Sequence, residues 1–468
     1  MLIKLLYRLM NEKFNTLPLK PELLKNLEEL KFHQMTPIQA KSLPVILEGR
    51  DVIAQAKTGS GKTAAFGLGI LNSLNMRDSY PKCLILCPTR ELAEQVAKEI
   101  RTLARMSKNT KVLTICGGTS EYHQERSLSH GAHIVVGTPG RIQSFLKKGI
   151  LNLDRAETLV LDEADRMLDM GFYDEMMNII SYLPEDRQSL LFSATYPEEI
   201  RELGESFQND AVEVKVDTMH VESSIDEIFY EVQGHQEKND ALLKILSKYR
   251  PDRLIIFCKT KRITDDVAKF LVKQGIYAAG IHGDLEQNER TEIMTKFSNR
   301  SLSILVATDV AARGLDISDL AAVVNYDLPT DPEIYVHRIG RTGRAGQKGM
   351  AFSLFLNNKG YILDDIEDYT VKNCKCEEIS DIEIEQTYDL TPPMQTIYIS
   401  GGKRDKLRPG DLLGAIVGEA KVDSSNVGNI SIFNVLSYVA IKREVVDQVV
   451  EKLRDGRIKK KKFKVGFA

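Results

Sequence analysis

An apolar run that ends in acidic residues is the feature that most restricts the fold of this chain. The run Thr158–Leu161 leads directly into Asp162–Asp165, and a glycine-rich segment, Ala56–Thr63, lies well upstream. A loop of this kind wraps phosphate groups with backbone N–H groups, and its lysine reaches the β- and γ-phosphates. A strand that ends in Asp-Glu offers a ligand for Mg²⁺ and a carboxylate that orients a water molecule. The two segments together predict ATP hydrolysis.

The predicted catalytic centre assigns a separate task to each of these side chains. Lys62 contacts the phosphates, Thr63 and Asp162 hold Mg²⁺, and Glu163 orients the attacking water. The other predicted contacts to ATP in the loop are Ala56, Lys57, Thr58, Gly59, Ser60 and Gly61. The first position is alanine where the common pattern has glycine. The flanking residues nevertheless read as a strand before the loop and a helix after it, which is the context that such a loop requires.

Two series of short, continuous apolar runs predict two α/β domains. Such runs are typical of strands buried on both faces, as in a parallel sheet between helices. The first series is Asp51–Ala54, Cys83–Cys87, Val112–Cys116, His133–Val136, Leu159–Leu161 and Ser189–Phe192. The second series is Arg253–Cys258, Ala278–His282, Ile304–Val306, Ala322–Asn325 and Ala351–Phe355. Ligands of open parallel sheets bind beyond the carboxyl ends of the strands, and the polar residues of interest follow those ends.

The chain of 468 residues is predicted to hold three folded domains. We place them at 14–216, 226–376 and 394–468, with an N-terminal extension at 1–13 and linkers at 217–225 and 377–393. No run of eighteen apolar residues exists, so we expect no membrane span. Lys4 and Arg8 interrupt the N-terminal apolar stretch, which argues against a signal peptide. We therefore expect a cytoplasmic protein.

The net charge of −3 conceals an uneven distribution along the chain. Residues 394–468 contain 15 Lys and Arg against 8 Asp and Glu, a net charge of +7. The rest of the chain has 48 basic and 58 acidic residues, a net charge of −10. A basic tail on an acidic body predicts electrostatic affinity for a polyanion.

The segment His337–Arg344 places three arginines close together in the second domain. A run of this kind most commonly forms a basic helix on the protein surface. The alternative is that Arg341 and Arg344 act as arginine fingers, which accelerate phosphoryl transfer by about 10³–10⁵. Fingers on one domain and the phosphate loop on the other would make hydrolysis depend on domain closure. We interpret the side chains of Lys57 and Arg338 as ordinary charges.

These segments together resemble the DEAD-box RNA helicases, and the resemblance covers roughly residues 14–355. It is carried by Pro88–Leu92, Thr138–Arg141, Asp162–Asp165, Ser193–Thr195 and Ala307–Asp316. The resemblance implies two tandem RecA-like parallel-sheet domains, with ATP and Mg²⁺ as cofactors and RNA as the partner. The small C-terminal α+β domain lies outside this part of the resemblance.

The resemblance also implies how adenine is read. Gln39 would hydrogen-bond the adenine edge, Phe32 would pack on its face, and Phe14 would add an upstream aromatic contact. Lys31 and Met35 stand where the family usually has glycine and proline. For Phe32 the alternative is simple core packing.

Coupling and RNA-binding roles follow from the same resemblance. Coupling between nucleotide and domain interface is implied for Asp165, Ser193, Thr195 and His337, and a nucleotide contact for Asp316. RNA contacts are implied for Arg90, Gly117, Gly118, Thr138 and Arg141 in the first domain, and for Thr260, Gln287, Arg290, Thr308 and Gly314 in the second. Hydroxyls, glycine backbones and arginines suit phosphates and 2′-hydroxyls, which carry little sequence information.

The C-terminal segment is predicted to fold in the order β-α-β-β-α-β, as in RNA-recognition domains. Its third strand, Ser437–Ile441, offers only one aromatic ring, so we expect RNA binding elsewhere. The predicted RNA contacts are Lys403, Arg404, Lys406, Arg408, Lys459 and Lys460. The alternative is a solvated basic tail. The segment resembles the tail of DbpA-type helicases, which implies binding to a hairpin of 23S ribosomal RNA and a role in assembling the large ribosomal subunit.

We consider three alternative functions for this chain. The first is an ATP-dependent RNA helicase that separates short duplexes in precursor ribosomal RNA and works as a monomer. The second is an ATP-gated RNA clamp, for which unwinding is incidental. The third, DNA strand separation, fits poorly because contacts of the 2′-hydroxyl type dominate the matched segments.

Overall fold

The structure is a computed structural model, and the parts of the chain that it describes fall into two compact units. The first unit extends to residue 216 and the second begins at residue 225. The described residues are 13–56, 59–75, 80–107, 109–196, 198–216, 225–312, 317, 320–343, 348–357, 360–384 and 389–468. Among them, no helix is both long enough and apolar enough to span a bilayer.

The first unit contains a seven-stranded parallel sheet in the order β3-β4-β2-β5-β6-β1-β7. Its strands are β1 (Val52–Gln55), β2 (Cys83–Leu86), β3 (Val112–Ile115), β4 (Ile134–Gly137), β5 (Thr158–Asp162), β6 (Gln188–Ser193) and β7 (Val212–Lys215). Its helices are α1 (Pro21–Glu29), α2 (Pro37–Leu47), α3 (Lys62–Ser73), α4 (Arg90–Leu103), α5 (Glu121–Leu128), α6 (Pro139–Lys147), α7 (Ala164–Asp169), α8 (Tyr173–Ile180) and α9 (Glu198–Phe207).

The second unit begins with a parallel sheet in the order β10-β11-β9-β12-β13-β8-β14. Its strands are β8 (Ile225–Val232), β9 (Leu254–Phe257), β10 (Ala278–Ile281), β11 (Ile304–Ala307), β12 (Ala322–Asn325), β13 (Gly349–Leu356) and β14 (Cys376–Glu377). Its helices are α10 (His235–Tyr249), α11 (Lys261–Lys273), α12 (Gln287–Ser298), α13 (Asp309–Ala312), α14 (Pro332–Ile339) and α15 (Tyr361–Thr370). Counted from their first strands, both parallel sheets have the same order, 3-4-2-5-6-1-7.

The second unit also contains a small C-terminal sheet with four antiparallel strands in the order β16-β17-β15-β18. Its elements are β15 (Met394–Ile399), α16 (Pro409–Ala420), β16 (Val427–Ile432), β17 (Ser437–Lys442), α17 (Val446–Asp455) and β18 (Val465–Phe467). This is the predicted β-α-β-β-α-β order. Ile397, Ile399, Val439 and Ile441 point to one face of the sheet and pack with the two helices in one apolar core. The predicted fold class, two tandem parallel-sheet domains and a small α+β domain, is confirmed.

Three strands of the parallel sheets, β7, β8 and the two-residue β14, are absent from the runs found in the sequence. In β7 only Val214 is buried, because the strand lies at the sheet edge and alternates with exposed Glu213 and Lys215. Strand β8 also mixes acidic and apolar residues, yet it pairs with β13 along eight positions. Its first residue, Ile225, belongs to the strand, although the sequence predicted a linker at 217–225. Period-two patterns of this kind carry a weaker signal than continuous apolar runs.

Candidate functional site

The phosphate loop lies between β1 and α3 and is tied to two neighbouring segments. Ala56 N donates to Ser193 O at 2.9 Å, which joins the start of the loop to the end of β6. Gly61 has φ +94°, and a Cβ at this position would overlap the amide of Gln39. Glycine therefore permits both the left-handed turn and the close approach of Gln39. Lys57 and Thr58 lie outside the described residues.

The buried polar atoms around this loop include four that form no hydrogen bond within the described part of the chain. They are Ser60 Oγ, Lys62 Nζ, Asp162 Oδ1 and Ser193 Oγ. Lys62 is only 6% exposed and Asp162 only 3%. Buried polar groups are nearly always paired, and leaving one unpaired costs about 1–3 kcal/mol. A polar ligand that brings both anionic and cationic groups, such as a triphosphate with Mg²⁺, fits this set of donors and acceptors.

The surroundings of Asp162 favour its protonated form, and a bound cation would favour the ionised form. Burial raises the pKa of its carboxyl to about 7, Lys62 opposes the shift, and Glu163 and other acidic neighbours add to it. A bound divalent cation favours the ionised carboxylate. Thr63 lies in the first turn of α3 beside Lys62, where its hydroxyl can complete the cation site predicted from the sequence.

Glu163 is paired with an arginine that the sequence analysis did not single out. Arg166 Nη1 lies 2.7 Å from Glu163 Oε2, and the two side chains are 7% and 4% exposed. Glu163 also has φ 55°, a left-handed conformation that non-glycine residues rarely adopt. Strained backbone of this kind concentrates at functional sites. Arg166 directly follows Asp162–Asp165, which we call the acidic quartet, so proximity in sequence was the one signal that could have found it.

Asp165 connects the acidic quartet to Thr195. Its Oδ2 accepts from Ala194 N at 3.0 Å, Thr195 N at 3.1 Å and Thr195 Oγ1 at 3.2 Å. Burial alone would raise the pKa of Asp165, but Lys62, Arg166 and the backbone donors outweigh burial and lower it. The carboxylate is therefore ionised. The structure thus brings together three of the predicted coupling residues, because Ser193 lies two positions before Thr195.

The predicted adenine-reading residues differ in exposure. Gln39 accepts from Thr36 N at 2.9 Å and donates to Gly61 O at 3.0 Å, so it joins the start of α2 to the phosphate loop. Phe32 is 41% exposed, which speaks against simple core packing. Phe14 is buried in the core at 4% exposure, and its contact with nucleotide stays a prediction. Lys31 has φ 62°, so the chain keeps a left-handed turn without the glycine.

The RNA contacts predicted in the first unit gather at the carboxyl ends of β2, β3 and β4. Arg90 begins α4 after β2, and its guanidinium lies against the backbone of Gly117 and Gly118. A Cβ at Gly118, where φ is +74°, would overlap this guanidinium. Thr138 precedes α6, and Arg141 Nη1 donates to Thr119 O at 3.4 Å. Residues that are far apart in sequence therefore share one edge of the sheet.

The RNA contacts predicted in the second unit follow the corresponding strands, β9, β10 and β11. Thr260 precedes α11, and its hydroxyl accepts from Ile263 N at 3.2 Å. Gln287 begins α12, and Arg290 in the same helix donates to His282 O at 3.4 Å. Thr308 follows β11 and is 8% exposed. Gly314 and Asp316 lie outside the described residues.

The structure corrects one prediction for the arginine-rich segment His337–Arg344. Arg338 is not an ordinary surface charge, because it is 4% exposed and grips Asp309 with Nε and Nη2, both at 2.7 Å. Its Nη1 donates to Asn325 Oδ1 at 3.1 Å and to Asp327 O at 2.7 Å. His337 lies beside it in the last turn of α14, and Arg341 follows with 7% exposure. Arg344 lies outside the described residues.

The two basic segments of the C-terminal domain come together. Lys459 Nζ donates to Lys406 O at 2.8 Å and to Asp411 Oδ2 at 3.0 Å. We call the combined surface the basic patch. Its exposed members are Lys403, Arg404, Lys406, Arg408, Lys459, Lys460, Lys461, Lys462 and Lys464. The ammonium group of Lys459 holds the two segments together, so it serves the structure of the patch.

Three family models match the chain. They are the DEAD/DEAH box helicase domain at residues 36–203, the helicase conserved C-terminal domain at 237–346 and the DbpA RNA binding domain at 396–466. The DEAD-box ATP-dependent RNA helicase CshA of Geobacillus kaustophilus is 47% identical over 73% of this chain and 73% of its own length. The structure of Saccharomyces cerevisiae Dbp5 bound to RNA and ADP BeF3 matches with a TM-score of 0.73 and 34% identity, over 79% of this chain and 96% of that one.

The fold and the site therefore define an ATP-dependent RNA helicase with two helicase domains. The similarity to one relative extends over nearly the whole chain. The ATP-dependent RNA helicase DbpA of Escherichia coli is 45% identical over 96% of this chain and 98% of its own length. The chain belongs to the DEAD-box RNA helicases, and within them to the DbpA type with its C-terminal RNA-binding domain.

Proposed function

We propose that this helicase is directed by its C-terminal domain to a hairpin of 23S ribosomal RNA and separates short duplexes beside it during assembly of the large ribosomal subunit. It would act in the cytoplasm, as a monomer. The observation that supports this proposal most is the basic patch on a domain that matches the DbpA RNA binding domain. Two segments that lie about fifty residues apart in sequence form one surface there, and Lys459 ties them together.

In the proposed ATP site, each unpaired buried group receives a partner from the ligand. Lys62 and the loop backbone would hold the phosphates, and Thr63 and Asp162 would hold Mg²⁺, which supplies positive charge beside the phosphates when it is bound. Glu163 orients the attacking water. Gln39 and Phe32 read adenine.

Hydrolysis would depend on closure of the two helicase domains. We assign Arg341 and Arg344 as the arginine fingers that the second domain supplies, because arginines in this role stabilise charge in the transition state. Asp165, Ser193, Thr195 and His337 would couple the nucleotide to closure. The hydrogen bonds from Thr195 to Asp165 support this assignment, because movement at the acidic quartet must displace the Ser193–Thr195 segment.

RNA would be gripped along the carboxyl ends of three strands in each helicase domain. In both sheets these are the second, third and fourth strands along the chain. The predicted contacts offer arginines, hydroxyls and glycine backbone, which suit phosphates and 2′-hydroxyls rather than base edges. Sequence selectivity would therefore come from the C-terminal domain.

The test measures ATP hydrolysis with overlapping fragments of ribosomal RNA. We expect one fragment of 23S RNA to stimulate hydrolysis at a concentration at least about tenfold below the others, because a second attachment point raises the effective concentration of RNA at the core. Uniform stimulation by all fragments would contradict the targeting. The Glu163→Gln variant is the control, since it should bind the same fragment and lose about 10²–10⁴ in turnover.

A clamp function is separated from unwinding by a second measurement. Strand separation of a short duplex is followed with and without the stimulating fragment attached. A clamp predicts bound RNA and hydrolysis without faster separation, whereas a helicase predicts faster separation only when the fragment is attached. Replacing the RNA strand with DNA of the same sequence tests the contribution of 2′-hydroxyl contacts.

A further inference from the structure

The C-terminal sheet has a second face that its own helices do not cover. Strands β15 and β17 are paired through Thr396 with Ala440 and through Tyr398 with Tyr438. These side chains alternate with Ile397 and Val439, which pack with α16 and α17 on the opposite face. Thr396 and Ala440 are nevertheless only 1% exposed, and Tyr438 is 5% exposed. Residues outside the C-terminal domain must therefore cover Thr396, Ala440 and Tyr438.

The covering surface is the end of α12 and the residues that follow it in the second helicase domain. Ser301 Oγ lies 2.7 Å from Thr396 Oγ1, and Asn299 Nδ2 donates to the same hydroxyl at 3.2 Å. Asn299 and Ser301 are 3% and 6% exposed. Met394 N, at the start of β15, donates to Arg300 O at 3.3 Å. Because the buried hydroxyl of Thr396 has two direct hydrogen-bond partners, the C-terminal sheet is held in one position on this surface.

Tyr438 makes a second connection to α12. Its hydroxyl donates to Glu292 Oε2 at 3.3 Å. Burial and the neighbouring Glu292 raise the pKa of Tyr438 to about 12, so the phenol stays protonated and remains a donor. RNA-recognition domains commonly stack bases on aromatic rings of this sheet face. Here the one ring of the third strand is committed to a protein contact.

Arg443 makes a third connection, at the edge of the same face. Its guanidinium lies 4.3 Å from the ring centroid of Tyr277. The same group donates to Pro392 O at 2.6 Å and to Gln395 Oε1 at 2.7 Å. Ser303 Oγ donates to Leu390 O at 2.6 Å, so residues 390–392 are attached from both sides. The segment that enters the C-terminal domain therefore has little freedom.

We propose that Thr396, Tyr438 and Arg443 are positioning residues that determine which duplex the helicase separates. By fixing the C-terminal domain on the second helicase domain, they place an RNA held by the basic patch at one distance and in one direction from the core. A rigid placement of this kind favours a duplex at one spacing, whereas a flexible tether serves many spacings about equally. The substrate selection rests on the proposed function, while the rigid placement does not.

The first experiment tests the placement without RNA. Spin labels are attached at Lys273→Cys and Arg457→Cys, with Cys374→Ser and Cys376→Ser to remove the two cysteines that are not fully buried. We expect one narrow distribution of distances between the labels. The variant Thr396→Val/Tyr438→Phe/Arg443→Ala should broaden it, whereas Tyr398→Phe on the same sheet face should not. A broad distribution in the parent protein would refute rigid placement.

The second experiment tests substrate selection. The stimulating ribosomal fragment is joined to a short duplex on either side, through linkers of increasing length. The parent protein should separate the duplex fastest at one side and spacing. The triple variant should lose this preference and fall about tenfold in rate at the best placement, while its affinity for the fragment and its maximal ATP hydrolysis stay within about twofold.

Negative results in the two experiments reject different parts of the proposal. An unchanged preference in the triple variant, with broadened distances, would overturn the positioning role. If no ribosomal fragment binds more tightly than others, the targeting fails, and a narrow distance distribution still supports the rigid placement. Retained affinity of the triple variant for the fragment also shows that the C-terminal domain remains folded.

Discussion

At the scale of single residues, the ATP site holds charges that the folded chain alone does not satisfy. Lys62 and Asp162 are buried, and each has an atom without a hydrogen bond within the described part of the chain. Sites of this kind trade stability for function, since the ligand supplies the missing partners. The sequence predicted which residues belong to this site. Arg166 was missed although it directly follows these residues, because its pairing with Glu163 depends on the left-handed backbone of Glu163, which no local sequence pattern indicates.

Asp162 should make the protein without nucleotide or metal less stable as the pH rises. Its pKa is raised from 3.8 to about 7, so the folded state holds a proton that the unfolded state releases between these values. The free energy of unfolding therefore falls with rising pH across this window and levels off above it. We expect Asp162→Asn to be more stable than the parent at pH 8, by on the order of 1–4 kcal/mol, and similar at pH 4.

The measurement is denaturant unfolding in EDTA without nucleotide, at several pH values. Asp186→Asn, a change of the same type at an exposed carboxylate, should show the pH dependence of the parent. Parallel curves for the parent and Asp162→Asn would contradict the raised pKa. Added Mg²⁺ and ATP should reverse the order of stability, since the variant has lost a cation ligand.

Gly118 should be required for the position of Arg90 rather than for the fold alone. In Gly118→Ala the new methyl group would overlap the Arg90 guanidinium, and the left-handed backbone would add about 1–2 kcal/mol of strain. We expect RNA affinity to fall about tenfold, as for the loss of one charge-assisted contact, with unchanged ATP affinity. Gly171→Ala is the matched control, because Gly171 has φ +77° and open space around its Cβ position. Equal RNA affinities of the two variants would contradict the role of Gly118.

At the scale of elements, continuous apolar runs predicted strands well, and mixed patterns did not. Strand β2 is buried at every position and was found as Cys83–Cys87. Strands β7 and β8 were missed, because their polar residues interrupt the run and their pairing partners lie far away in sequence. Arg338 was misread for a related reason. A basic cluster looks like a solvated surface until the fold places Asp309 and Asn325 around it.

The pair of Arg338 and Asp309 should hold α14 against α13 and the end of β12. Breaking a buried ion pair costs about 3–5 kcal/mol, and Asp309 is 25% exposed, so we expect Arg338→Ala to lose about 2–4 kcal/mol of stability. Arg338→Lys should recover only part of the loss, because lysine cannot form the fork. The measurement is a double-mutant cycle with Asp309→Asn in denaturant unfolding.

A surface ion pair in the same domain provides the comparison. Arg262 and Asp266 lie 3.8 Å apart with side chains 92% and 66% exposed. Arg262→Ala should change stability by no more than about 0.5 kcal/mol, as is usual for exposed pairs. If Arg338→Ala lost no more stability than Arg262→Ala, Arg338 would be an ordinary charge, as the sequence predicted.

At the scale of the whole molecule, the two parallel sheets repeat one topology but carry different chemistry. In both sheets the predicted RNA contacts follow the second, third and fourth strands. The first and fifth strands of the first sheet, β1 and β5, end in the phosphate loop and the acidic quartet. The corresponding strands of the second sheet, β8 and β12, lead into neither motif. The same edge of each sheet therefore carries the predicted RNA contacts, whereas the predicted phosphate and Mg²⁺ contacts follow strands of the first sheet.

The basic patch should set the salt dependence of binding to the stimulating ribosomal fragment. Each phosphate contact contributes about 0.7–0.9 to the slope of log affinity against log salt concentration. Replacing Arg404, Arg408 and Lys460 with glutamine should therefore reduce the slope by roughly two and weaken binding most at low salt. Lys459 is left in place because it ties the two segments of the patch together. Stimulation of ATP hydrolysis by unstructured RNA should stay unchanged, since the proposed contacts for that RNA lie in the helicase domains.

A control with equal charge separates this contact from general electrostatics. Lys269, Lys273 and Lys421 are exposed and lie outside the patch, and their replacement with glutamine removes the same three charges. If the patch binds phosphates directly, only the patch variant changes the slope, because exposed charges farther than a Debye length from the RNA are largely screened. If both variants lower affinity equally, the chain attracts RNA only through its net charge, and the choice of fragment does not come from the basic patch.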